Sequence, residues 1–319
     1  NYPTIDPDIT GLTFNDHRAW SYKLPEELHP TRWTGDTAVN FIDTYNGPQP
    51  FFAKVSFARP HSPYDPPQRI WDMYNDVDLP KATVGTWAAK YAKPANEFPD
   101  YWHGDLGAEQ VRASRQGYYG AVTFIDEQIG RIVAALEKRR MLENTLIIYI
   151  SDHGDMTGDH NLWRKSFAYE ASAKVPLIVR WPKGTLSDRR GVTLDRPVEI
   201  RDVLPTMLDA AGDTAARAQL DGQSVLSLLR DSRTKWRDAI DLEHDICYDA
   251  SNHWSGMTDG NWKYIFHAQT GEDQFFNLRE DPDELRDLTS DAGYKRRKRE
   301  LRDRLVEHLA KRGEPFVVK

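Results

Sequence analysis

The chain has 319 residues, 39% of them hydrophobic and 11% aromatic, and its formal net charge is −7 at pH 7. This length and composition predict a folded protein with a substantial core, in one large domain or two smaller ones. The negative charge argues against a general nucleic-acid binder. Because no run of about eighteen apolar residues occurs, the sequence also predicts no membrane span.

Both the start of the chain and its cysteine content bear on its cellular setting. The chain begins at Asn1 without an initiator methionine, a basic leader or an apolar signal core, which indicates a cut inside a longer protein. The single cysteine, Cys247, excludes a disulfide within the chain and leaves the redox compartment open. We expect Cys247 to be an ordinary thiol, buried or half-buried.

The first candidate functional residue follows the first strong strand. A helix is predicted up to Tyr45, started by Thr34 or Asp36, and a strand is predicted from Pro50 to Phe57. His61 comes directly after that strand, between two prolines. Taken alone, a histidine in this setting is more often a packing residue of a loop than a functional group.

A long irregular segment and a long helix come next. Residues 64–106 are rich in proline, aspartate and aromatic side chains and show little periodicity. In a compact enzyme such a segment is usually a rim or lid, so we expect substrate-shaping residues there. Ala108 to Leu142 has an apolar stripe at helical spacing and a basic end, which predicts a scaffold helix. We place Asp126 on its solvated or helix-packing side and not at a metal.

The stretch from Thr145 to Lys165 carries the densest ionisable chemistry. Thr145 to Ile150 is β-branched and apolar, as in a strand buried on both faces of a parallel sheet. Asp152 and His153 follow directly, at the strand end where open α/β sheets bind ligands. Together with Lys165 they suggest ligands for a hard cation and a fixed positive charge for an anionic ester. A surface loop whose aspartate and histidine cap the next helix would explain the pair equally well.

Beyond Pro182 the sequence changes character. A polar loop leads to Arg196–Leu208, which predicts a strand running into a helix. Short alternating runs separated by turn residues then predict a small antiparallel sheet. These runs are Ile240 to Asp245, Trp254 to Thr258, Asn261 to Phe266 and Asp273 to Leu278. The last helix, Gly293 to Arg312, has a leucine stripe, and its basic run at residues 295–299 is typical of a solvated helix face.

Several of these segments together resemble one family, the sulfatases of the alkaline-phosphatase superfamily. They are Pro60-His61-Ser62-Pro63, Ser151-Asp152-His153-Gly154, Gly158-Asp159-His160, Trp163-Arg164-Lys165, Val175 to Pro182 and the acidic turn Glu280 to Glu284. The resemblance extends from about residue 32 onward. It implies an α/β, alkaline-phosphatase-like fold with a central mixed, largely parallel sheet flanked by helices and incomplete at the amino terminus. Residues 1–235 would form this part, and residues 236–319 a subdomain with a small antiparallel sheet and a final helix.

The resemblance also assigns roles. Asp152 and His153 would coordinate a divalent metal, Lys165 would neutralise sulfate oxygens, and His61 would hold the sulfate or assist the leaving oxygen. His160 would line the pocket or hold its loop by hydrogen bonds. Calcium is the expected metal, yet it prefers about six to eight oxygen ligands, so other residues must complete the shell. Because imidazole better suits manganese or zinc, Mn²⁺ and Zn²⁺ stay open.

The sequence departs from the family pattern in one respect. A complete sulfatase carries a paired Asp-Asp and a Cys/Ser-x-Pro/Ala-x-Arg motif whose first residue becomes formylglycine, the nucleophile. Neither motif occurs here, and Cys247 lacks the proline and arginine that the motif requires. The resemblance therefore predicts an inactive piece of a sulfuric ester hydrolase, with formylglycine in the missing amino-terminal part.

Two alternatives stay open at this point. The parent protein could be a phosphonate monoester or phosphodiester hydrolase of the same superfamily, or the chain could be a non-catalytic truncated relative. The expected partner is a sulfate ester, either a small aryl compound or a sulfated sugar or oligosaccharide, with no nucleic acid and no membrane. The oligomeric state is not indicated. Because many relatives are exported, a periplasmic or secreted enzyme is expected.

All of these roles depend on one spatial prediction. The loop that bears His61 and the loop that bears Asp152, His153 and Lys165 should converge on a single anion pocket at one rim of the sheet.

Overall fold

The computed structural model describes residues 10–94, 102–184, 186, 190–213, 220–231 and 233–313. The predicted cut at Asn1, part of the 64–106 segment and part of the loop after Pro182 lie outside these residues. The chain divides into two compact units. The first unit is Asn1–Val84, Ala88–Asn144 and Asp155–Arg164, and the second is Gly85–Trp87, Thr145–Gly154 and Lys165–Lys319. The boundary predicted after residue 235 stays a prediction.

Helices dominate the first unit: α1 spans Pro30–Thr44, α2 Gln68–Asp72 and α3 Ala108–Lys138. The predicted start of α1 was wrong by about one turn. Pro30 occupies the first helical position, which needs no N–H donor, and the ring of His29 accepts a hydrogen bond from the Thr31 backbone N at 3.1 Å. The predicted α3 is confirmed, and Asp126 on it is exposed.

Close approach of α1 to α3 depends on a glycine. A Cβ atom at Gly35 would lie only 2.6 Å from the Gln128 side-chain oxygen, so no larger residue fits without displacing that side chain. One turn away, Arg131 on α3 forms an ion pair with Asp36 on α1. These two contacts set the spacing of the helix pair.

The strand predicted from Pro50 to Phe57 is absent from the structure. These residues have no regular secondary structure, and Phe52 is 76% exposed. A strand requires a hydrogen-bonded neighbour, and no described residue pairs with this segment in a ladder. The apolar residues of this run indicate a tendency to be buried, but they do not show whether another strand is available to pair with it.

The second unit begins with a two-stranded antiparallel ribbon, β1 (Ile147–Ile150) and β2 (Leu177–Arg180), in which Ile147 pairs with Arg180. Both strands are largely half-buried, and Ile178 is 61% exposed. The interpretation of Thr145 to Ile150 as a parallel strand covered on both faces was therefore wrong. An apolar run does not reveal which strand will pair with it or in which direction.

Short helices connect this ribbon to the final sheet. They are α4 (Glu170–Ala173), α5 (Val203–Ala211) and α6 (Leu226–Arg230). The strand predicted just before α5 is not formed. Instead, Glu199 and Asp202 make a capping box around a single 3₁₀ turn, which satisfies the backbone N–H groups at this helix start.

The predicted antiparallel sheet and terminal helix are confirmed. Strands β3 (Ile240–His244), β4 (Trp254–Thr258), β5 (Trp262–His267) and β6 (Asp273–Asn277) pair in sequence order, and α7 spans Lys295–Lys311. One face of the sheet packs on the leucine stripe of α7. The buried residues of this cluster are Met257, Tyr264, Phe266, Phe275, Leu288, Leu301, Leu305 and Leu309.

The opposite face of the sheet contains a buried ion cluster that the sequence analysis did not anticipate. Lys263 on β5 is fully buried, and its Nζ lies 2.9 Å from Glu284 Oε1 and 2.7 Å from Glu170 Oε1. Burial acts to lower the pKa of Lys263, but attraction to Glu284 and Glu170 outweighs it and raises that pKa above its ordinary value. The lysine is therefore charged at neutral pH.

Cys247, the single cysteine of the chain, is exposed, so the prediction of a buried or half-buried thiol was wrong. It lies in a largely exposed loop between β3 and β4. Among the described helices, none combines the length and apolar character that crossing a membrane requires.

The ion cluster leads to a stability prediction. Lys263→Met leaves the Glu284 carboxylate buried without its counter-charge, so the free energy of unfolding in urea should fall by about 3–5 kcal/mol. Combining Lys263→Met with Glu284→Gln removes the ammonium and the more deeply buried of its two carboxylates. Glu170 keeps a second partner, Lys174, at 3.4 Å, so the double variant should recover most of that loss. Equal losses in the single and double variants would contradict a stabilising role for the charge pairing.

Candidate active site

Asp152 and His153 lie side by side on the loop after β1. The backbone N of His153 donates to Asp152 Oδ1 at 3.0 Å, and Ser151 Oγ donates to the His153 carbonyl oxygen at 2.8 Å. The Asp152 side chain is 85% exposed and that of His153 is 32% exposed. Local hydrogen bonds thus shape the loop while the carboxylate stays open to solvent.

The ring of His153 has a defined tautomer when neutral. Its Nδ1 lies 2.7 Å from the Gly154 carbonyl oxygen, which can only accept, so Nδ1 carries the proton. The unprotonated Nε2 lies 3.7 Å from Asp152 Oδ2. Two ligand atoms that bind the same metal ion, each about 2 Å from it, can be up to about 4 Å apart. Metal-binding histidines also commonly donate the N–H of their other ring nitrogen to a carbonyl oxygen. The pair therefore fits two positions of a metal shell.

The described residues supply only part of such a shell. Among them, no group of three or more His, Cys, Asp or Glu side chains could hold a metal ion. One carboxylate and one imidazole are far fewer than the roughly six to eight ligands that calcium takes in proteins.

Gly154 holds this loop against α4. Its backbone N donates to the Ser172 carbonyl oxygen at 2.8 Å, and a Cβ atom there would lie 2.0 Å from the Ala171 carbonyl oxygen. No other residue fits at this position without moving the backbone. Gly158 allows a second sharp turn in the chain, since its φ of +95° is a conformation that favours glycine.

Lys165 is half-buried and lies at a strained point of the backbone. Both its neighbours, Arg164 and Ser166, have positive φ angles, of 69° and 79°. A non-glycine residue held in such a region costs roughly 1–3 kcal/mol and persists only when its surroundings enforce it. The position of Lys165 is thus imposed by tertiary contacts.

His61 is half-buried in the first unit, between cis peptide bonds at Pro60 and Pro63. Its ring stacks on Phe14 with 4.5 Å between centroids, and its Nδ1 lies 2.8 Å from the Ser62 carbonyl oxygen. As with His153, the carbonyl fixes the proton on Nδ1 in the neutral ring, which makes Nε2 the basic nitrogen. This orientation suits a group that exchanges a proton through Nε2.

His160 is 3% exposed and has a positive φ of 56°. Its backbone N donates to the Thr83 carbonyl oxygen at 2.7 Å, and the adjacent Asp159 accepts from Arg115 at 2.7 Å. These bonds hold the loop of residues 158–162. Its backbone therefore has the loop-holding role that the sequence analysis offered, and a role in lining a pocket stays a prediction.

Sequence reasoning did not identify Asp155. The hydroxyl of buried Tyr64 donates to Asp155 Oδ2 at 2.8 Å, and the backbone N atoms of Thr157 and Arg164 donate to its Oδ1 at 3.0 and 3.2 Å. Burial, with the Asp155 charge, raises the pKa of Tyr64 well above its usual range, so Tyr64 stays protonated and donates. The sequence feature that could have identified Asp155 is its position directly after Gly154, a glycine in a turn.

The predicted site residues are divided between the two units. Asp152, His153 and Lys165 belong to the second unit, whereas His61 and His160 belong to the first. The structure brings Asp152 and His153 together within the second unit. Convergence of the two loops on one anion pocket stays a prediction.

Comparisons with known proteins extend this picture. The sequence profile described as "Sulfatase" matches residues 13–213, and the profile "N-sulphoglucosamine sulphohydrolase, C-terminal" matches residues 158–311. An arylsulfatase of Clostridium perfringens is 39% identical over 317 residues, which cover 98% of this chain and 64% of the relative. A choline-sulfatase of Rhizobium meliloti is 32% identical over 246 residues, which cover 75% of this chain and 46% of the relative.

Solved structures show the same relationship at the level of fold. The phosphonate monoester hydrolase of Agrobacterium radiobacter superposes with a TM-score of 0.79 at 24% identity, over 96% of this chain and 66% of that one. A protein solved with its substrate D-glucosamine-2-N,6-O-disulfate superposes with a TM-score of 0.73 at 22% identity, over 88% of this chain and 69% of that one. These likenesses confirm the predicted α/β, alkaline-phosphatase-like fold class.

The chain spans less than two thirds of the length of these two curated relatives, at 64% and 46%. Its own length is nevertheless almost fully matched by the arylsulfatase, and the family profile covers more than half of it. The chain belongs to the sulfatase family.

Proposed function

We propose that this chain is part of a sulfuric ester hydrolase, which cleaves a sulfate monoester into an alcohol and sulfate. The observation that carries the proposal is the Asp152–His153 pair. The neutral ring has its unprotonated Nε2 3.7 Å from an exposed carboxylate oxygen. The Asp152 carboxylate is 85% exposed, so its oxygens and the unprotonated Nε2 of His153 are both available to a cation.

In this proposal Asp152 and His153 hold a divalent metal, expected to be calcium, with Mn²⁺ or Zn²⁺ as alternatives. A bound divalent ion would polarise an oxygen of the sulfate group. The residues around Asp152 and His153 set the tautomer of the His153 ring and the position of the loop. The Gly154 carbonyl selects the tautomer, and the fit of Gly154 against Ala171 fixes the course of the loop.

The cationic and proton-transferring roles fall to Lys165 and His61. Lys165 would stabilise negative charge that develops on the sulfate oxygens in the transition state. His61, with Nε2 as its basic nitrogen, would hold the sulfate or deliver a proton to the leaving oxygen. His160 would contribute to substrate binding.

In this proposal the nucleophile, a formylglycine, belongs to a part of the whole protein outside this sequence, which carries no formylglycine motif. The proposed substrate is an aryl sulfate or a sulfated sugar. Relatives with those names support this range: an arylsulfatase of Clostridium perfringens and an N-acetylglucosamine-6-O-sulfatase of Bacteroides thetaiotaomicron, 39% and 28% identical to this chain.

The function is tested with the whole protein and two matched substrates, an aryl sulfate and an aryl phosphonate monoester with the same leaving group. We expect kcat/KM for the sulfate to exceed that for the phosphonate by at least about a hundredfold, or about 3 kcal/mol in transition-state free energy. The reverse order would identify a phosphonate hydrolase. Turnover of neither ester would favour a non-catalytic relative.

Substitution of Lys165 tests its charge-stabilising role. Lys165→Ala in the whole protein should lower kcat for the aryl sulfate by about 10²–10³-fold, as expected for removal of one preorganised electrostatic group. Lys183→Ala removes an exposed lysine nearby in sequence and is the matched control, expected to leave kcat unchanged. A change within about threefold for Lys165→Ala would exclude Lys165 from the site.

Metal titration of this chain alone tests the incomplete ligand shell. Calorimetry with Ca²⁺ or Mn²⁺ should show weak binding, with a Kd of about 10⁻³ M or higher, because two donors cannot satisfy either ion. Asp152→Asn should weaken that binding further, whereas Asp126→Asn, on the exposed side of α3, should not. Tight stoichiometric binding would refute the two-donor description.

A further inference from the structure

The two faces of the C-terminal sheet have different chemistry. The β4–β5–β6 register places Trp254 opposite His267, and Gln274 opposite Ile265. Because side chains alternate along a strand, Trp254 and Gln274 share a face with Lys263, opposite the face that packs on α7. This second face is buried and carries polar groups, so those groups must find partners.

Their partners lie on the backbone that directly follows Lys165. The Ser166 carbonyl oxygen accepts two hydrogen bonds, from Trp254 Nε1 at 2.8 Å and from Asn252 Nδ2 at 2.9 Å. Trp254, Asn252 and Ser166 are all buried, with exposures of 5%, 3% and 7%. A carbonyl that accepts two buried donors is held in direction as well as in position.

The next residues are held from the same side. The Ala168 carbonyl oxygen accepts from Lys263 Nζ at 2.8 Å, and the Glu170 backbone N donates to Glu284 Oε2 at 2.7 Å. Between them, the Tyr169 hydroxyl donates to Gln274 Oε1 at 2.8 Å. The buried Lys263 ammonium thus binds the backbone of residues 166–170, through the Ala168 carbonyl oxygen, as well as the two carboxylates.

We propose that Asn252, Trp254, Lys263, Gln274 and Glu284 form an anchoring group that positions Lys165 by fixing the backbone of residues 166–170. The positive φ of Ser166, at 79°, is the kind of conformation that needs such support. These five are positioning residues, because each acts through residues 166–170. The inference rests on the proposed function, in which Lys165 stabilises charge on the sulfate.

Hydrogen exchange tests the anchoring itself and needs no turnover. Trp254→Phe keeps a buried ring but removes the Nε1 donor to Ser166, and Asn252→Ala removes the second donor to the same oxygen. Amides in the peptide covering residues 164–172 should exchange at least about tenfold faster in either variant. Trp262→Phe is the control, because Trp262 lies on the α7 face and stacks on Phe275. It should leave that peptide unchanged.

A double-mutant cycle on the whole protein tests the link to Lys165. Trp254→Phe should lower kcat for the aryl sulfate about tenfold with little change in KM, since small misplacement of a catalytic group has effects of this order or larger. In a Lys165→Ala background the same substitution should cost less than about twofold, because the group being positioned is already gone. Trp262→Phe should stay within about threefold of the unmodified kcat.

The outcomes are separable. Unchanged exchange in Trp254→Phe and Asn252→Ala overturns the proposal. It is also overturned if Trp254→Phe lowers kcat by the same factor in the Lys165→Ala variant as in the unmodified protein. If the unmodified whole protein hydrolyses neither ester, the proposed function fails, and the exchange measurement alone decides whether residues 166–170 are anchored.

Discussion

The second unit depends on how one buried positive charge is satisfied. Lys263 is fully enclosed, and an isolated ammonium in such a place would be prohibitively costly. Two carboxylates and a carbonyl oxygen surround it, from Glu284, Glu170 and Ala168. These groups come from two parts of the chain that are distant in sequence, residues 168–170 and Glu284. A fold that moved any of them away would leave an uncompensated charge, so the cluster selects one arrangement of the turn after β6, strand β5 and the start of α4.

This constraint explains why the sheet has two unlike faces. The face toward α7 is apolar and packs against leucine side chains. It stabilises the fold through the hydrophobic effect, which does not depend on the direction of individual contacts. The other face carries the ammonium of Lys263, the indole N–H of Trp254 and the carboxamide of Gln274, whose hydrogen bonds are directional. Because hydrogen bonds are directional, they can hold the Ser166 backbone at its positive φ angle. Apolar packing alone would not fix that backbone conformation as closely.

The Asp152–His153 pair illustrates a second, more local kind of control. The Gly154 carbonyl oxygen orients the His153 ring and sets its tautomer, while Gly154 itself permits the close approach to Ala171. The loop is shaped by contacts within a few residues and by α4. The pair is therefore formed even where the described residues do not complete a metal shell.

The amino-acid pattern by itself determined the family, the long α3 helix, the four alternating strands near the carboxyl terminus and the candidate site residues Asp152, His153, Lys165, His61 and His160. These follow from periodicity and from motifs that are local in sequence. It failed at Pro50 to Phe57 and at β1, because strand pairing depends on a partner distant in sequence. Only the tertiary structure decided that Cys247 is exposed and that Lys263 is buried between Glu170 and Glu284, because a charge is buried only where distant chain segments bring its partners together.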